Sequence, residues 1–196
     1  MIAIVDLGEI NTAPLKSVLS DLTQDFIITS NEIEIFRADK VILVGYGEAS
    51  QGVKKLHLLN LFSVMRIINK PMLGIGLGMQ MMCNYSTEGN VSCLGIFPGS
   101  TEKFGVYNSN LKHTGLDNIN ILLDSKLLKN ISELDKFYFD HSFYISKNDC
   151  TSSLSKNGIL FASSLEKENA YGVQFHPEKS GEAGMKLLHN FNQLLN

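Results

Sequence analysis

Apolar runs alternate with amphipathic stretches through the first half of the chain. Residues 2–7, "IAIVDL", are apolar and β-branched, and the segment 14–22 that follows spaces Leu15, Val18, Leu19 and Leu22 at helical intervals. "FIITS" (26–30) predicts a second strand, 31–37 a short acidic helix and "KVILVG" (40–45) a third strand. One helix is expected over about 51–69, followed by a fourth strand in "PMLGI". Strands separated by helices predict a parallel sheet covered by helices on both faces.

After Glu88 the texture changes. "NINILL" (118–123), "KFYFDHSFYIS" (136–146) and "GILFASSL" (158–165) are strand-like segments between polar turns, as antiparallel additions to a parallel core would be. The chain closes on a strand, a charged loop and a helix. With no repeat, linker or low-complexity tract, these pieces are expected to share one sheet system in a single domain, 1–196. The predicted class is α/β: an open, mostly parallel sheet with helices on both faces and antiparallel additions.

Composition narrows the partners. Of 196 residues, 44% are hydrophobic and 19% charged, an ordinary globular balance, and the net charge of −3 with no long basic run argues against nucleic acid. No apolar stretch reaches bilayer length, and Met1 leads into a strand instead of a signal core, so neither a membrane location nor export is expected and the predicted compartment is the cytoplasm. Cys83, Cys93 and Cys150 are odd in number and lack ligand spacing, which predicts neither a disulfide framework nor a metal site.

The candidate chemistry sits where predicted strands end, the usual place for ligand sites in open parallel sheets. Three stretches fall there: "VGYG" (44–47), "GIGLGMQ" (74–80) and "QFHPEKS" (174–180). The second reads as a strand, a sharp turn and a helix beginning near Leu77, an elbow of the kind that mounts a serine or cysteine nucleophile, yet its apex is Gly76. In the third, Pro177 holds His176 extended, and a strand-like course through Glu178 would point both side chains the same way, as the base and orienter of a catalytic triad. "GIGLG" lacks the third-glycine spacing and the downstream acidic residue of a dinucleotide loop, so no cofactor is expected.

"PMLGIGLGMQMM", "VQFHPEKSG", the "VGYG" loop, the opening "IAIVDLG", "LGIFPG" (94–99), "HTGLDNI" (113–119) and "DHSFY" (140–144) together resemble the class I, or triad, glutamine amidotransferases. Within them the likeness is greatest to the glutaminase subunits of imidazole glycerol phosphate synthase. The resemblance implies a flavodoxin-like sheet and a reaction in which an apex cysteine attacks the side-chain amide of glutamine, histidine moves the protons and glutamate orients the histidine. The ammonia then passes into a cyclase-like (β/α)8 barrel bound as a heterodimer. Carried onto this chain, the apex is Gly76, the base His176 and the orienter Glu178. Leu77, Gly45 and Tyr46 fall at the oxyanion hole, Gly47, Gln80, His141 and Ser142 at glutamine contacts, and Lys179 at the barrel interface. For His141 a structural role at a strand end is an equal expectation.

The departures imply as much as the matches. Gly76 stands where the resemblance places cysteine, Val44 where it places proline, and Leu116 and Asp117 where it places a tryptophan and an asparagine. Covalent catalysis needs a nucleophilic atom, and glycine has none. The expected function is that of a glutaminase subunit with crippled chemistry. The alternatives are a non-catalytic partner of a cyclase-like barrel, a paralogue serving surface-sugar amidination, and a small-molecule binding module in the emptied pocket.

Overall fold

A computed structural model describes residues 1–8, 12–105 and 112–194. The first half runs β1 (Ile2–Val5), α1 (Ala13–Leu22), β2 (Phe26–Thr29), α2 (Glu32–Arg37), β3 (Lys40–Gly45), α3 (Ala49–Leu58), α4 (Leu61–Ile67), β4 (Met72–Gly76) and α5 (Leu77–Met81). The second half is richer in strand: β5 (Tyr85–Ser86), β6 (Val91–Ser92), β7 (Ser100–Lys103), β8 (His113–Asn118), β9 (Asn120–Ile121), β10 (Lys136–His141), β11 (Phe143–Ile145), β12 (Thr151–Asn157), β13 (Ile159–Lys167) and β14 (Ala170–Val173). A 3₁₀ turn at Pro177–Lys179 then leads into α6 (Gly181–Gln193).

The main sheet has the order β2-β1-β3-β4-β14-β13-β12-β9. From β2 to β14 every pairing is parallel, and β13, β12 and β9 extend the sheet antiparallel. Alternation along the strands divides the core in two. Ile2, Ile4, Ile42 and Val44 face Leu15 and Leu19 of α1 and Leu187, Leu188 and Phe191 of α6. Ala3, Val5, Val41 and Leu43 face Ile35, Val53, Leu56, Met65 and Met79 of the helices opposite. The predicted class therefore holds, with helices on both faces.

Four expectations change. The helix expected over 51–69 is two, because Asn60 adopts a left-handed conformation (φ 58°) that ends α3 and starts α4. Asparagine tolerates that conformation better than most side chains, and the surrounding apolar run "LLNLF" concealed the break. The late strands do not share one sheet system either. β10 forms a separate two-stranded sheet with β8, and β11 joins another small sheet of order β11-β7-β5-β6. The segment 136–146 changes sheets at Ser142, since β10 takes its register from β8 and β11 from β7. The strand expected over 118–123 is likewise split, Asn118 closing β8 and Asn120 opening β9. Finally, Pro177–Lys179 forms a 3₁₀ turn where a strand-like course was expected, with Lys179 N–H donating to the His176 carbonyl at 3.0 Å.

Helix α5 lies against β3 with almost no gap. A β-carbon at Gly78 would fall 1.8 Å from the Leu43 carbonyl oxygen, so only glycine fits. Gly78→Ala is expected to cost about 3 kcal/mol, the upper part of the overpacking range. A chemical denaturation curve indistinguishable from that of the parent would show that this contact does not fix the helix.

Candidate functional site

Strands β3, β4 and β14 are consecutive neighbours, and the three motif stretches leave their carboxyl ends side by side. Gly45 pairs in register with Gly76, and β14 flanks β4 on the other side. Gly76 has φ 58° and ψ −116°, a conformation that L side chains rarely adopt, so the elbow is built as expected and its apex is well suited to glycine. Leu77 opens α5, and its N–H is one of the first-turn donors without an intrahelical acceptor.

His176 and Glu178 meet as a buried pair. His176 keeps an extended backbone (φ −103°, ψ 95°) ahead of Pro177, and its Nδ1 lies 2.8 Å from Glu178 Oε1. The pair forms through the tight turn, which swings Glu178 back onto the ring. Burial alone would raise the Glu178 carboxyl. The hydrogen bond and charge of His176, aided by the Tyr46 hydroxyl, outweigh it and hold the carboxyl below its ordinary range. Tyr46 donates to the same Oε1, while Glu178 Oε2 is buried with no partner among the described residues. Burial, with the Glu178 charge, pushes the Tyr46 phenol well above its ordinary value.

These groups open onto a cavity of about 310 Å³. Gly45, Tyr46, Gly47, Gly76, Leu77, Gln80, His141, Ser142 and His176 all line it, so one space brings together nearly every residue singled out in the sequence. Glu178 stands behind His176 and Lys179 outside, exposed, with its ammonium 4.9 Å from the Tyr46 ring centroid and 5.6 Å from that of Tyr138. None of the three cysteines lines the cavity. Cys83 is fully buried, its thiol pushed far up by burial.

Two groups of expected contacts are modified by the geometry. The loop at Gly45–Gly47 lies beside the apex, with the Gly45 carbonyl oxygen 3.4 Å from where a β-carbon of residue 76 would be. Gln80 has committed its amide N–H groups to Gln174 Oε1 (2.9 Å) and the Phe143 carbonyl (3.0 Å). His141 is similarly occupied, Nδ1 bonding the Phe143 carbonyl at 2.8 Å and Nε2 meeting His113 Nδ1 at 3.1 Å. It supplies wall to the cavity, which favours the structural expectation for this residue.

Several lining residues were not singled out: Glu88, Lys112, Asp140, Phe143 and Gln174. Lys112 pairs with Asp140 at 2.5 Å, and Glu88 caps α3 by accepting the Ala49 N–H at 2.9 Å. Asp140, Phe143 and Gln174 lie inside the quoted stretches 140–144 and 174–180, whereas Glu88 and Lys112 come from loops with no local spacing that would have marked them.

The sequence model of the family "Glutamine amidotransferase class-I" matches residues 3–194. This chain belongs to that family. Among curated class I relatives, the imidazole glycerol phosphate synthase subunit HisH of Buchnera aphidicola subsp. Schizaphis graminum is 37% identical over 98% of this chain and 99% of its own length. The subunit HisH 2 of Legionella pneumophila strain Lens is also 37% identical, over 99% and 98%. Solved class I folds superpose closely. A glutamine amidotransferase from Thermotoga maritima gives a TM-score of 0.67 at 16% identity, covering 97% of this chain and 81% of that one. The Trypanosoma brucei CTPS glutaminase domain gives 0.69 at 16%, covering 98% and 93%. At these identities the structural likeness establishes the amidotransferase fold.

The buried imidazoles set a pH limit on this class I domain. His141 is held down to about 3, by burial first and by the charges of His113 and His176, against the opposing Phe143 bond. Its folded value lies below its ordinary 6.5, so the unfolded chain takes the proton first. The stabilisation is complete above about 6.5 and is lost as pH falls toward about 3, at up to about 1.4 kcal/mol per pH unit. His141→Asn is expected to flatten the acid limb of a urea-denaturation series run from neutral to about pH 4. An unchanged limb would mean that His141 is not buried in its neutral form.

Proposed function

We propose that this chain is the glutaminase-type subunit of an imidazole glycerol phosphate synthase whose amide hydrolysis has been disabled at position 76. We further propose that it acts in the cytoplasm as a single domain docked on a cyclase-like (β/α)8 barrel as a heterodimer. The curated relatives that carry that subunit name over nearly the whole chain support the pathway. The observation that supports the loss is the apex itself: His176 Nε2 lies 3.1 Å from where a β-carbon of residue 76 would be, with no sulfur or oxygen to deprotonate.

The rest of the reaction can be followed through the cavity. Glutamine would enter with its side-chain amide toward Gly76, beneath the Leu77 N–H. The carboxylates of Glu88 and Asp140 and the Lys112 ammonium would offer charge to the amino-acid end. In a working triad His176 would take the nucleophile's proton through Nε2 and return it to the departing ammonia, with Glu178 steadying the imidazolium through Nδ1. Here the proton has no donor and the acyl group no acceptor. A water activated by His176 is the remaining route, and loss of the nucleophile in triad enzymes costs on the order of 10⁶ in turnover. Ammonia from solution then becomes the nitrogen source for the partner, and this chain contributes binding and shape. Lys179, exposed at the end of the 3₁₀ turn, is the proposed barrel contact.

Glutamine hydrolysis by the purified chain is expected to stay at background with and without a cyclase-like barrel protein from the same organism, while the two co-elute as a heterodimer. Robust glutamine turnover would overturn the loss of chemistry. Separate elution at micromolar concentrations would overturn the partner.

A further inference from the structure

We propose that Tyr46 is a positioning residue that clamps the His176 imidazole over the apex, so that positions 46 and 76 form one coupled lock on the site. The inference rests on the triad reading of the cavity and deepens it.

Tyr46 holds the pair in two ways. Its ring lies parallel to the His176 ring, with 4.9 Å between centroids and 5° between planes. Its hydroxyl donates to Glu178 Oε1, the same oxygen that His176 Nδ1 meets at 2.8 Å, although Oε2 stands unused beside it. The Tyr46 ring is steadied in turn by the Lys179 ammonium. His176 is thus fixed by a stacked face, a hydrogen bond and, at its own N–H, a 2.8 Å bond to the Tyr138 carbonyl.

The held ring occupies the space a nucleophile needs. A β-carbon built on Gly76 would lie 2.9 Å from His176 Cε1 and 3.1 Å from Nε2, the first closer than real β-carbons come to any neighbour and the second closer than most. Any side chain at the apex must push the imidazole aside, and the imidazole can yield only by straining its bond to Glu178 or by displacing Tyr46. Replacing the missing atom alone therefore leaves the base misplaced, and misplacement by about an ångström costs about 100-fold.

The test compares Gly76→Cys, Gly76→Cys/Tyr46→Val and Gly76→Cys/Tyr46→Phe. Iodoacetamide labelling of the introduced thiol is followed against pH by tandem mass spectrometry that localises the label to position 76, apart from Cys83 and Cys93 nearby in the chain. The Tyr46→Val pair is expected to label about 100-fold faster than Gly76→Cys near neutral pH, with its titration moved to lower pH. Tyr46→Phe, which keeps the ring and loses the hydroxyl, should fall between. Coincident rates and titrations in all three would overturn the clamp.

Glutamine hydrolysis by the same proteins separates the two readings. An activated thiol without hydrolysis supports the clamp and sinks the glutaminase ancestry of the pocket. Equal hydrolysis by Gly76→Cys and by the pairs sinks the clamp and leaves the ancestry standing. A stability cycle needs no thiol. Gly76→Ala is expected to lower the melting midpoint less in a Tyr46→Val background than in the parent, because the strain of the positive φ cancels between arms and the crowding of His176 does not. Equal losses would also overturn the proposal.

Discussion

The close passage of Gly78 under the Leu43 carbonyl governs the architecture of the site. It presses the first turn of α5 against β3, backbone to backbone, and so fixes how far the chain must bend on leaving β4. The bend is taken up at Gly76, whose positive φ follows from the geometry on either side of it. Once the elbow is set, strand order does the rest. β3 lies on one side of β4 and delivers the Gly45–Gly47 loop; β14 lies on the other and delivers His176. Neither the loop nor the imidazole has to be positioned by a long connection of its own. The arrangement therefore forms with glycine at the apex, since an apex side chain plays no part in building it.

Legibility in the sequence followed the range of the forces involved. The parallel half was readable because each strand is a short apolar run and each helix an amphipathic one, and alternation such as Ile2, Ile4 against Ala3, Val5 already encodes which helices cover which face. The elbow and the imidazole–carboxylate pair were readable because their glycine spacing and their proline are local. The second half was less so. β8, "HTGLDN", is too polar to read as a strand and owes its existence to backbone pairing with β10. The division of 136–146 at Ser142 depends on two partners that are distant in the chain. Glu88 and Lys112 reach the cavity from separate places outside any quoted stretch, and their convergence on it is a property of the fold alone.

Tyr46 illustrates a limit of a different kind. From the sequence it is one residue in a loop expected to offer backbone donors to an oxyanion. In the structure its side chain matters more, stacked on His176 and bonded to Glu178, while the loop turns the Gly45 carbonyl toward the apex. A residue chosen for its backbone thus acts through its ring. Such a change of role leaves no trace in spacing, because what matters is the volume of the side chain beside a neighbour more than a hundred residues away.

The persistence of His176 and Glu178 does not by itself argue for continuing catalysis. Both are buried, and each partly satisfies the other through the Nδ1–Oε1 bond. Removing one partner of such a pair leaves the other desolvated and unpaired, a loss commonly of about 3 kcal/mol or more, whereas removing a nucleophile from the apex breaks none of the bonds that hold this pair. His176 is tied further by its N–H to Tyr138, and its carbonyl accepts from Ser180 Oγ at 2.6 Å at the start of α6. His176 and Glu178 are therefore part of the framework joining β10, the 3₁₀ turn and the last helix. A chain of this fold can carry glycine at the apex at no structural cost, and stability alone is reason enough for it to keep the buried imidazole and carboxylate.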